Sequence, residues 1–202
     1  MPYFVTLTPV GSSDHEEGME SRGETGPSDG EVVARVLAGD REAYRILVRR
    51  HEDALFGHAV RMTRRGDVAA DLVQDSLVKA FTSLDRCRNP ERFGAWAFRI
   101  VSNRCKDYLK NVRRKDVELD AAGPLAASLD PEEDAERAEL RRRLYAALDR
   151  LPPDQREAFV LKHEEGRSYE EMAGLLEASV GALKMRVHRA REALMDLLED
   201  EP

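Results

Sequence analysis

Cysteine is nearly absent, with only Cys87 and Cys105 in 202 residues. Two are too few for a disulfide framework, and their separation excludes the C-x-x-C pairs of zinc and redox sites, which fits a reducing compartment. No apolar run approaches the length of a membrane span, and the first residues lack the charged start, apolar core and small-residue cleavage site of a signal peptide. A soluble cytoplasmic protein without membrane insertion is expected. The two histidine-acid clusters, His51-Glu52-Asp53 and His163-Glu164-Glu165, lack the H-E-x-x-H spacing that sets two imidazoles on one helical face. The glycines form no phosphate loop, so neither cluster marks an enzyme. No catalytic residue, metal ligand or cofactor is expected.

Charge of one sign is missing locally. Residues 116–134 carry no basic side chain against 7 acidic ones, and residues 1–29 carry 1 against 6. Residues 30–115 hold 19 basic and 11 acidic groups, so the net charge of -7 conceals a strongly basic block. Such alternation suits contact with a polyanion at two separated places. The Gly, Ser, Pro and acid content of residues 1–29 reads as a disordered tail, with Met19 a second possible start. Residues 116–134, with two prolines, read as a flexible tether reaching roughly 60 Å when stretched.

The stretch from Ser168 to Leu198 reads as helix, tight turn and longer helix. Ser168 and Glu171 form a capping box that starts the first helix at Tyr169, and Ser179 caps a second that begins at Val180. Val180, Leu183, Val187, Ala190, Leu194 and Leu197 make its apolar stripe. Lys184, Met185, Arg186, His188, Arg189 and Arg191 lie opposite, a cationic face on an anchored helix that suits DNA phosphates and base edges. Two helices precede it: Ala135 to Leu151, apolar at Leu140, Leu144, Ala147, Leu148 and Leu151, and Asp154 to Glu165, with Phe159, Val160 and Leu161 buried and Gly166 as its stop.

Residues 30–115 read as four helices: Glu31–Leu37, Arg41–Arg64, Val68–Leu84 and Gly94–Lys115. The third turns Leu72, Leu77, Ala80, Phe81 and Leu84 inward, leaving Asp71, Gln74, Asp75 and Val78 as an acidic face with no basic neighbour nearby in sequence, a candidate protein-docking surface. In the fourth, Trp96, Ile100, Val101, Tyr108, Leu109 and Val112 supply core. Arg99, Asn103, Lys106, Lys110 and Arg113 recur at four, three, four and three, a basic stripe suited to a nucleic-acid backbone. Arg86, Arg88, Asn89 and Arg92, in the loop before it, suit a base taken out of the stack.

In series these motifs resemble a known family. LDRLPPDQREAFVLKHEEGRSYEEMAGLLEASVGALKMRVHRAREAL resembles the region 4 domain of extracytoplasmic-function (ECF) sigma factors of bacterial RNA polymerase. DLVQDSLVKAF and RFGAWAFRIVSNRCKDYLKNVRR resemble regions 2.2 and 2.3 to 2.4. The resemblance implies an all-α chain of two small helical domains, region 2 over 30–115 and a region 4 helix-turn-helix over 135–198, joined by the acidic linker 116–134. It implies a non-catalytic, stress-responsive alternative sigma factor that recruits core RNA polymerase, recognises two promoter elements and assists melting.

By the same resemblance Asp71, Gln74, Asp75 and Val78 dock on the clamp helices of the largest polymerase subunit, and region 4 meets the flap region of the second-largest. Arg86, Arg88, Asn89, Arg92, Arg99, Asn103, Lys106, Lys110 and Arg113 meet the minus-ten element as duplex and single strand. Ser179, Ala182, Lys184, Met185, Arg186, His188, Arg189 and Arg191 meet the minus-thirty-five element. An anti-sigma partner, able to hold the factor at the membrane, is also implied. Three positions depart from the family: Glu177 stands where the turn usually has Gly, and Ala182 and Met185 where small hydroxyl residues are frequent.

Overall fold

Ser28 caps the first helix. Its hydroxyl accepts from the Glu31 amide at 3.2 Å while its own amide donates to the Glu31 carboxylate at 2.8 Å, a capping box that opens α1 at Asp29–Leu37, two residues before the expected start. The computed structural model describes residues 26–116 and 135–199; the expectations for the first 25 residues and for 117–134 lie outside them. Gly39, at φ +109, turns the chain, and Asp40 accepts from the Ala43 amide to hold a 3-10 turn over Arg41–Ala43. The single helix expected from Arg41 is therefore this turn followed by α2, Tyr44–Thr63, which stops at Arg64 in the left-handed region.

α3 runs Gly66–Thr82. Its innermost line is Ala69, Val73, Ser76 and Ala80, whereas the expected Leu72, Leu77 and Phe81 are only partly buried. Small side chains in that line let neighbouring backbones close in, and the larger ones fill the flanks. Two 3-10 turns, Leu84–Arg86 and Pro90–Arg92, build the loop before α4, Phe93–Asp116. In α4 the buried residues are Phe93, Ala97, Phe98, Val101, Ser102 and Cys105, while Trp96, Ile100 and Leu109 pack at the margin. The face differs from the expected stripe because α4 packs on α2 and α3 on one side and on the C-terminal helices on the other.

In the second half, α5 spans Ala135–Arg150 and α6 Pro153–Phe159. The helix expected over Asp154 to Glu165 does not stay α-helical. From Val160 to Glu164 it widens to a π-turn, with the Glu165 amide donating five residues back to Val160, before Gly166 at φ +68 ends it. α7, Tyr169–Leu176, carries the expected Ser168–Glu171 box, and α8 spans Val180–Glu199. Leu140 of α5, expected in the core, is exposed. Ala147, Leu148, Leu151, Ala190 and Leu194 form a small cluster between α5 and α8, whereas Ala158, Val160, Leu161, Met172, Leu183 and Val187 join the large core of α1 to α4. The two halves thus share apolar packing. No strand occurs among the described residues, and none of their helices is long and apolar enough to cross a membrane.

Candidate nucleic-acid and polymerase interfaces

Helix α8 is anchored from beneath by Leu183, Val187, Ala190 and Leu194, all buried. Ser179 Oγ accepts from the Ala182 amide at 3.2 Å and starts it. The anchoring leaves Ala182, Lys184, Met185, His188, Arg189 and Arg191 exposed and Arg186 half-buried, on a helix whose first turn is free to enter a groove. Burial first, then Arg191 and Lys162, holds the nearby His163 imidazole below its ordinary value. In the turn before α8, Glu177 takes φ 52, the left-handed conformation that glycine adopts most readily.

Helix α4 and its preceding loop form the second basic surface. Arg86, Arg88, Asn89 and Arg92 are exposed around a cavity of about 300 Å³ whose walls include Trp96 and Arg99. Trp96, expected as core, therefore does both: its ring centroid lies 6.0 Å from that of Phe93 and the residue also lines this cavity. Asn103 and Lys110 are exposed, the latter 3.8 Å from Asp107. The other three members of the stripe turn toward the second half. Arg99 pairs with Glu177, Lys106 lies 3.0 Å from Glu157 and 3.3 Å from Asp154, and Arg113 donates to the Leu151 carbonyl at 3.1 Å and to that of Arg150.

Asp71, Gln74, Asp75 and Val78 lie together and exposed on α3. A basic neighbour that sequence spacing concealed comes from α4, with Arg104 at 3.9 Å from Asp75. Beside this face, α2 and α3 enclose an apolar groove of about 620 Å³ lined by Val48, Phe56, Leu77, Val78 and Phe81. Tyr44 forms its floor, donating to the Leu77 carbonyl at 2.8 Å, and burial raises its phenol above the ordinary value.

Family models for Sigma-70 region 2 and Sigma-70 region 4 match residues 47–115 and 141–194. The ECF RNA polymerase sigma-E factor of Haemophilus influenzae is 31% identical over 182 residues, covering 85% of this chain and 96% of that protein. The chain belongs to the ECF sigma factors of the sigma-70 family.

As an ECF sigma factor it directs promoter-specific transcription initiation with RNA polymerase, as a non-catalytic specificity subunit that binds the polymerase and promoter DNA. The Escherichia coli sigma-E factor is 34% identical over 177 residues, 83% of this chain and 92% of that one. Among solved structures, CnrH in complex with the cytosolic domain of CnrY superposes with a TM-score of 0.57 at 32% identity, over 87% of this chain and 100% of that one. The sigma factor RpoE of Bartonella quintana, solved with the anti-sigma factor NepR, gives 0.55 at 28% identity, over 79% and 98%.

One member of each histidine-acid cluster of this sigma factor, His51 and Glu165, takes part in an internal pair. His51 Nε2 lies 2.8 Å from Asp29, not beside Glu52 or Asp53. His58 Nδ1 lies 2.8 Å from Glu165, joining α2 to the end of the π-turn. No group of three or more His, Cys, Asp and Glu converges among the described residues. Sequence reasoning missed the residues that join the halves: His58, Ser102, Glu157, Glu165, and Arg64, whose guanidinium lies 3.6 Å over the Tyr145 ring. Glu157 carried no local signal, because a buried carboxylate is recognisable only from partners fifty residues away.

Proposed function

We propose that residues 30–115 act as the region 2 domain and 135–198 as the region 4 domain of this sigma factor. Asp71, Gln74, Asp75 and Val78 dock on the clamp helices of the polymerase's largest subunit, and region 4 seats near the flap of the second-largest. The loop Arg86 to Arg92, with Arg99, Asn103, Lys106, Lys110 and Arg113, takes the minus-ten element. The Ser179 turn and the outer face of α8, Ala182 to Arg191, read the minus-thirty-five element.

The observation that carries this reading is the pairing, on one chain, of two cationic helical surfaces with one acidic helical face. Capture of an extruded base in the arginine-lined cavity, with the strand held along α4, offsets an unstacking cost of a few kcal/mol per step. An anti-sigma partner holds the factor inactive in the cytoplasm; this rests on the likeness to a sigma factor solved with one and on the apolar groove beside Val78, which suits an amphipathic helix.

Run-off transcription with purified core polymerase on a genomic fragment library tests the assignment. New discrete start sites sharing two spaced elements are expected. Duplex binding by the chain alone, with no new start site, would instead support a conventional repressor or activator.

A further inference from the structure

Helix α8 carries its cations on its flanks and an apolar side chain on its outermost line. Leu183, Val187, Ala190 and Leu194 mark the buried side. At about 100° per residue, Met185 falls opposite that side, and it is 48% exposed. Lys184, His188 and Arg191 lie to one side of it, Arg186 and Arg189 to the other. Lys184 Nζ stands 5.6 Å from the Tyr169 ring centroid, a contact that holds this cation toward α7. Gly181 precedes Met185 by four residues on the same outer side, and nothing lies within 4 Å of where a Cβ would stand. The way to Met185 is thus open from the helix start, the end that enters a groove. Ala182, one turn before Met185, adds an exposed methyl beside it. Glu192, two turns after Met185, lies 3.4 Å from His188 and ends the stretch.

A helix seated in the major groove sets its flanks against the two phosphate backbones and its outermost line against the base edges. Cations on the flanks suit the backbones. The centre of the outer line holds no amide or charge, so it cannot make the bidentate hydrogen bonds that distinguish guanine or adenine. Base pairs present one apolar group in that groove, the C5-methyl of thymine. We propose that Met185, with Ala182 beside it, is a specificity-determining contact that selects thymine by packing on this methyl. The proposal rests on the assignment of α8 to the minus-thirty-five element. The thioether is unbranched and polarizable, so it follows the methyl through small differences in groove geometry. Covering the methyl is the source of the preference, whereas the flanking cations meet phosphates that are the same in every sequence.

The test uses the full chain assembled with core RNA polymerase. Duplexes carrying a randomised upstream element are selected by binding. The selected duplex is then remade with uracil, which differs from thymine only in lacking the methyl, at each thymine in turn. Thymine should be enriched at one or two adjacent positions. Uracil there should weaken binding about fourfold per methyl, with the salt dependence unchanged. Met185→Ser should bind the thymine and uracil duplexes equally, while Met185→Leu, which keeps an apolar side chain, should retain the difference. Met185 is exposed, so neither variant opens the core. No enriched thymine, equal binding of both duplexes by the unaltered chain, or an undiminished difference in Met185→Ser overturns the methyl contact and leaves α8 as the reader. If Lys184→Ala with Arg189→Ala leaves affinity for the selected duplex intact, the assignment of α8 itself fails, and the methyl contact with it.

Discussion

Gly94 allows an approach that a methyl group would block. A Cβ there would lie 2.7 Å from the His51 ring, whose Nε2 meets Asp29, and Asp29 in turn receives Arg50. Adding one carbon must therefore displace the ring that ties α1 to α2. Gly94→Ala is expected to lower stability by about 1–3 kcal/mol in urea unfolding. Cys105 offers a check of another kind. Its thiol is fully buried in α4, and burial, reinforced by the charge of Glu157, pushes its pKa up to about 12. It should resist alkylation at mildly alkaline pH in the native chain and react on unfolding, as mass spectrometry would read.

At the scale of the element, the start of α7 is held by one side-chain pair. Ser168→Ala should cost about 1 kcal/mol in thermal unfolding, since an orphan amide loses its acceptor. Glu171 accepts from the Ser168 amide at 2.7 Å, and this bond first, then the Ser168 hydroxyl, holds its carboxyl below the ordinary 4.5. A carboxyl lowered in the folded state contributes stability in full above 4.5 and loses it as pH falls through the lower folded value. Wild type and Glu171→Ala should differ at neutral pH and converge in acid denaturation. On α3, Asp71→Arg with Asp75→Arg should abolish polymerase binding in a pull-down; retained affinity would remove the docking role from this face.

What the sequence disclosed followed the range of the interactions. The Ser168–Glu171 box was legible because it is written within four residues. The α8 stripe was legible because one face of that helix meets protein. The matching box at Ser28 lay hidden in a tail rich in Gly, Ser and Pro. The α4 face was misread toward Trp96, Ile100 and Tyr108, because a helix packed on two sides has no single stripe and its innermost residues are Phe93, Ala97, Phe98 and Cys105. That Arg99, Lys106 and Arg113 meet the other half has no period to betray it. The cationic stripe itself, and the acidic face of α3, stood in plain spacing.

For the molecule as a whole, a chain of net charge -7 approaches a polyanion, so its positive charge must act locally. Each phosphate contact releases counterions and steepens the salt dependence of binding. Lys184→Ala with Arg189→Ala should weaken holoenzyme binding to the upstream element and lower the slope of log affinity against log salt by about two, with polymerase affinity unchanged. A joint loss of both would make α8 a folding element only.

The π-turn after α6 bears on the same whole. It holds one residue more per turn than the helix leading into it, and that surplus sets the direction in which Glu165 leaves the backbone toward His58. Rewinding these residues as α-helix with none removed would instead carry Glu165 one residue's rotation, about 100°, around the axis. The imidazole of His58 would then face a different side chain, although no contact residue had been altered. The winding of this segment, as much as the side chains that touch, thereby sets the fit between the two halves.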